Sequence, residues 1–116
     1  MTVTGLARAI VSVADLDAAL RFYRDVLGLP VVAPAPDVAM LALPGGTDLM
    51  LHQRPSRPSD AGVALSFAVD DVDATVDAAV SAGCGVLDAP ADQPWGERQA
   101  VLTDPDGHVV CVVARP

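Results

Sequence analysis

Lysine is absent from this 116-residue chain, glutamate occurs once, tryptophan once, and histidine and cysteine twice each. Without an ammonium side chain there is neither a Schiff-base nucleophile nor a phosphate loop of the Walker type. Glu97, His52 and His108 cannot make the His-Glu-x-x-His pattern of a zinc hydrolase. No Gly-x-Ser-x-Gly elbow occurs. Cys84 and Cys111 form no paired framework, which fits a reducing compartment. No apolar run approaches the length of a bilayer span, and residues 1–8 carry no basic segment followed by a long apolar one. The expectation is a soluble cytoplasmic protein with no membrane partner.

What is present is apolar and acidic. A hydrophobic fraction of 52% supplies a core, and 19% charged residues is too few for a disordered chain. The length suits one domain rather than two ordinary ones. Seven arginines against fourteen aspartates and one glutamate give a net charge of −8. Such a surface repels phosphate backbones, which argues against a nucleic-acid partner, and it attracts cationic small molecules.

Two stretches have helical periodicity. Over residues 15–27, Leu16, Ala19, Leu20, Phe22, Tyr23, Val26 and Leu27 recur at three- and four-residue spacing, with Asp15 as N-cap and Gly28 as stop. Over residues 71–82 the pattern returns with Val72, Thr75, Val76, Ala79 and Val80, and Gly83 ends it. Strand patterns cover residues 7–13, 49–51, 63–69 and 109–113, the second and fourth following the turn signals Leu43-Pro44-Gly45-Gly46 and Asp104-Pro105-Asp106-Gly107. The order occurs twice. Asp15-Leu16-Asp17-Ala18-Ala19-Leu20 matches Asp71-Val72-Asp73-Ala74-Thr75-Val76 at an offset of 56 residues, and Pro44-Gly45-Gly46 matches Pro105-Asp106-Gly107 at 61. The chain therefore reads as a single domain of two modules, about 5–53 and 63–116, joined by a Pro- and Ser-rich linker over 54–62.

Strand alternation assigns faces. Ala9, Val11 and Val13 oppose Arg8, Ile10 and Ser12, while Leu49 and Leu51 oppose Asp48, Met50 and His52. In the second half Val63, Leu65, Phe67 and Val69 oppose Ala64, Ser66 and Ala68, and on the last strand Val109, Cys111 and Val113 have the matching phase. The greasier set packs on the helices, leaving the other to face a concave side.

The run Asp15-Leu16-Asp17-Ala18-Ala19-Leu20-Arg21-Phe22-Tyr23-Arg24-Asp25-Val26-Leu27-Gly28-Leu29 resembles the first helix of the vicinal-oxygen-chelate superfamily, which holds glyoxalases, extradiol dioxygenases and bleomycin-resistance proteins. Pro94-Trp95-Gly96-Glu97-Arg98 followed by Asp104-Pro105-Asp106-Gly107-His108 resembles its C-terminal signature. The resemblance implies an α+β fold of two paired βαβββ modules, curved mixed sheets around a cavity, and a homodimer. It also implies four metal-ligand positions, which fall here on Arg8, Met50, Ala64 and Cys111. None is a histidine or a carboxylate, so the expectation is a metal-free protein with no cofactor. A relocated site built from Asp48, His52 and Cys111 is the alternative.

A concave, mostly apolar pocket with a few polar groups then remains. The expected ligand-binding set is Arg8, Ser12, Asp48, Met50, His52, Ala64, Ser66, Trp95, Arg98 and Cys111. Arg8 either pairs with Asp48, Glu97 or a ligand carboxylate, or reaches solvent along its stem. Trp95 either stacks on a planar ligand or plugs a module junction. His108, Cys84 and Tyr23 read as structural. The leading function is a binding protein, resembling the bleomycin-resistance branch, that sequesters a hydrophobic or aromatic drug-like natural product. The competing reading is a lyase, isomerase or epimerase of the glyoxalase type, with His52, Asp48 and Glu97 as acid–base groups. A ligand sensor is the third.

Overall fold

The computed structural model describes residues 1–115 and divides the chain into two compact units, Met1–Ser56 and Arg57–Pro116. Each unit is a strand, a helix and three further strands. The first has β1 (Arg8–Val13), α1 (Leu16–Leu20), β2 (Val31–Ala35), β3 (Val38–Ala42) and β4 (Asp48–Gln53). The second has β5 (Leu65–Ala68), α2 (Val72–Ser81), β6 (Gly85–Asp92), β7 (Arg98–Thr103) and β8 (Val109–Ala114). The fold is α+β, with two four-stranded mixed sheets in the orders β1-β4-β3-β2 and β5-β8-β7-β6. In both, the first strand pairs in parallel with the last, while the other two pairings are antiparallel.

Capping chemistry sets where the helices begin. Asp15 and Asp71 sit in extended backbone, and their carboxylates accept the N–H of Ala18 (3.2 Å) and Ala74 (3.0 Å), donors a helix start leaves unpaired. Gly28 and Gly83 follow the helical stretches at positive φ (76° and 86°). The first stretch departs from the expected α-helix, since residues Arg21–Val26 widen into a π-helix and the Leu27 N–H reaches back to the Phe22 carbonyl (3.0 Å). The wider turn accommodates two consecutive aromatics in the core. Phe22 and Tyr23 are both buried, their rings edge to face with centroids 4.9 Å apart.

The buried side of each sheet is the apolar phase. Val13, Ala39, Leu41, Leu49 and Leu51 bury in the first unit, joined by Ala19, Phe22 and Tyr23. In the second, Ala100, Leu102, Val110 and Val112 bury with Val72, Val76 and Ala79 of α2. The segment 54–62 is not a free tether. Its first part belongs to unit one, where the Arg54 N–H extends the parallel ladder to Val13 O (3.0 Å) and Ser56 Oγ donates to Ser12 O (2.9 Å). Its second part belongs to unit two. There the Ser59 N–H donates to His108 Nδ1 (3.1 Å), and Ser59 Oγ accepts from the Val109 N–H (3.1 Å).

Candidate functional site

The face of the first sheet turned away from α1 carries Arg8, Ile10 and Ser12 on β1, Val38, Met40 and Ala42 on β3, and Asp48, Met50 and His52 on β4. Cross-strand register fixes the rows, with Arg8 beside Asp48, Ile10 beside Met50 beside Met40, and Ser12 beside His52 beside Val38. The centre is a patch of flexible apolar side chains with Ile10 at 55% exposure, and polar groups stand at both ends. Met40 and Met50, unbranched and polarizable, suit contact with ligands of varied shape.

The two polar ends differ. Arg8 is exposed, and it makes no ion pair with Asp48 among the described residues. At the other end Arg54 continues the strand phase of Met50 and His52, and its guanidinium ties the corner together. Nε donates to Ser12 Oγ at 2.7 Å, and Nη1 lies 3.1 Å from His52 Nδ1. Arginine can only donate, so Nδ1 is the acceptor and the imidazole carries its proton on Nε2. Sequence reasoning assigned Arg54 to the linker. The signal that locates it is parity, two residues beyond His52 on a strand whose hydrogen bonding runs one residue further.

In the second unit, the face turned away from α2 carries Ser66 and Ala68 on β5, Gln99, Val101 and Thr103 on β7, and Val109, Cys111 and Val113 on β8. Ser66 stands beside Cys111, which stands beside Val101. Burial, and then the Asp88 charge, push the Cys111 thiol above the ordinary cysteine range. Ala64 precedes β5 and is exposed. Trp95 lies in the β6–β7 turn and is 62% exposed.

Arg98 lies elsewhere. Its strand phase is that of Ala100 and Leu102, toward α2, where Nε and Nη2 grip the Asp73 carboxylate (2.7 and 3.0 Å) and Nη1 reaches Asp92 (3.1 Å). These pairs raise the guanidinium pKa and lower that of Asp73. Arg98 thus lines a separate cleft of about 450 Å³ at the start of α2, together with Asp70, Asp71, Asp73, Asp92 and Glu97. The cleft's other arginine, Arg115, pairs with Glu97 (3.2 Å). His108 holds Ser59, and Asp104 Oδ1 accepts the N–H groups of Asp106 and His108 (both 2.9 Å), which closes the β7–β8 turn.

The donor chemistry does not fit a divalent metal. The four positions implied by resemblance hold a guanidinium, a thioether, a methyl group and a thiol whose pKa is raised. No group of three His, Cys, Asp or Glu suited to an ion occurs among the described residues. Asp48 and His52 lie four residues apart on one strand, a Cα separation of roughly 13 Å, too far for a shared ion.

Two βαβββ units, each with a parallel closing strand and an open sheet face, match the sequence profile of the Glyoxalase/Bleomycin resistance protein/Dioxygenase superfamily over residues 5–112. The chain belongs to this superfamily. Among its relatives is CFP32 of Mycobacterium bovis, provisionally named a glyoxylase, 39% identical over 105 residues. That match covers 84% of this chain but only 39% of CFP32, so the chain spans about two fifths of the length of this curated relative. A glyoxalase-related enzyme from Fulvimarina pelagi shares the fold at a TM-score of 0.85 and 24% identity, covering 98% of this chain and 90% of that one. TnmS3, an antibiotic binding protein from Streptomyces sp. CB03234, superposes at a TM-score of 0.73 with 29% identity, over 100% of this chain and 99% of that one. No helix among its described residues is long and apolar enough to cross a membrane.

Proposed function

We propose that this protein is a metal-free binder of a hydrophobic or aromatic small molecule, which it sequesters in the cytoplasm as a homodimer, conferring resistance to an antibiotic or other drug-like natural product. One observation carries the reading: the open face of the first sheet is an apolar patch of Ile10, Met40 and Met50 bounded by polar groups. Similarity to an antibiotic binding protein supports it, as do two free thiols suited to a reducing compartment. Arg8, Ser12, Asp48, Met50 and His52 are the contacts offered by the first unit. Ser66, Cys111 and the exposed Trp95 are those offered by the second, with Ala64 at its margin. Sequestration needs only tight binding, since protection follows from mass action.

The groups available for acid–base work support binding over turnover. His52 Nδ1 is engaged by Arg54 and Glu97 by Arg115, which leaves Asp48 and the Nε2–H of His52 as the acid–base candidates without a partner among the described residues. The lyase, isomerase or epimerase reading rests on those two groups, which stand at opposite ends of β4. Native mass spectrometry of protein purified without chelators or affinity metals tests the proposal. Twice the chain mass with an organic passenger and no metal adduct is the expected result. A stoichiometric divalent ion, or conversion of the passenger by the wild-type protein, overturns it.

A further inference from the structure

Resting on that reading, we infer that the corner formed by Ser12, His52 and Arg54 recognises an oxyanion, a carboxylate in the first instance, on the bound small molecule. Three observations carry this. The first is direction. Arg54 spends Nε on Ser12 Oγ and Nη1 on His52 Nδ1, which fixes the guanidinium plane at the end of the open face. Among the described residues Nη2 has no protein acceptor, and neither does the Nε2–H of His52. A charged donor and a neutral one are thus presented together, and acceptor oxygens are what such a pair binds.

The second is the internal repeat. Ser12 and His52 face each other across the parallel pair β1/β4, and Ala68 and Val113 occupy the same place across β5/β8. The fold therefore does not require polar residues there. The arginine at the matching place after β8 is Arg115, and it is bound to Glu97. In the second unit that guanidinium already has a carboxylate partner, whereas Arg54 is held by a hydroxyl and an imidazole nitrogen.

The third is position. Asp48 stands at the opposite end of the same face, four residues or roughly 13 Å along β4 and beside Arg8, so that end carries a charge of each sign while the corner carries a cation without a carboxylate. A ligand with an apolar body across Ile10 and Met50 places its oxyanion on Arg54. Net charge points instead to a cationic ligand, but net charge governs the long-range field, whereas this guanidinium acts at contact.

Three probes of one shape separate the possibilities: benzoate, benzyl alcohol and benzylammonium, each titrated into the full chain and followed by amide and arginine Nε resonances. Benzoate is expected to shift the signals of Ser12, His52 and Arg54. Arg54→Gln is expected to weaken benzoate about tenfold, the effect of one charge-assisted hydrogen bond, and to leave benzyl alcohol unchanged. His52→Gln, which keeps Arg54, is expected to weaken benzoate by a smaller factor, and it serves should Arg54→Gln not fold. Benzoate binding no better than benzyl alcohol, or preferred binding of benzylammonium, overturns the oxyanion corner while leaving the pocket standing. No response of open-face residues to any probe overturns the corner and the pocket together.

Discussion

Individual side chains already separate the open faces from the packed ones. Burial raises the Cys111 thiol pKa, so its thiolate is scarce near neutral pH. Iodoacetamide is expected to alkylate Cys111 more slowly than a free cysteine, with a pH–rate profile displaced upward, as mass spectrometry of the modified peptide would record. Glycine at positive φ gives a second test. Gly107 has φ 82°, and a Cβ there would meet Pro58 Cβ at 3.2 Å, whereas Gly83, at φ 86°, has open space around it. Gly83→Ala is expected to cost about 1–2 kcal/mol for the left-handed backbone alone, and Gly107→Ala more, in denaturant unfolding. Equal losses would mean that Pro58 yields freely. At this scale sequence alternation placed Asp48, Met50 and His52 on one face, because parity along a strand is a local property. Arg98 escaped the same logic. Its place beside Asp73 depends on where β7 begins and on a helix 25 residues earlier.

Elements bring capping and ion pairs into play. Asp71→Ala removes the acceptor for the Ala74 N–H and is expected to cost about 1 kcal/mol. A wild-type value from thermal melts would show the cap to be dispensable. The Arg98 guanidinium holds Asp73 below its ordinary value of 3.8. As pH falls the unfolded chain therefore takes up that proton first, so this pair stabilises above the ordinary value and its contribution is lost as pH drops through the folded-state one. Wild-type melting temperature is expected to fall more steeply with acidification than that of Asp73→Asn. Parallel slopes would mean that solvent screens the pair completely. The helices, their caps and the stop glycines were legible because their signals are local. Four strands, β2, β3, β6 and β7, were not located from their residues. β3 and β7 do alternate in burial but are only five and six residues long, while β2 and β6 are edge strands bearing Pro34 and Pro90, and β6 is exposed over nearly its whole length, so these two have little of the alternation that marks a half-buried strand.

Charge sets the behaviour of the molecule as a whole. At −8 the folded chain repels itself, and screening relieves that repulsion. Melting temperature is expected to rise as salt is increased to about 0.15 M. A fall would show that the ion pairs of Arg98 and Arg115 outweigh the net charge. Repetition of the helix and turn motifs at offsets of 56 and 61 residues revealed the duplicated plan, since a repeat is read from the whole chain at once. The asymmetry between the halves, polar at Ser12 and His52 but apolar at Ala68 and Val113, became visible only with the register. That register also bears on synthesis. In each unit the first strand pairs with the last, Arg8 with Asp48 and Leu65 with Val110. On the ribosome β1 therefore emerges some forty residues before its partner, at roughly 5–20 residues per second. For those few seconds an apolar strand waits without a neighbour while the β2–β3 pairing forms locally. The unit is complete as soon as β4 appears, before any of the second half is needed for pairing.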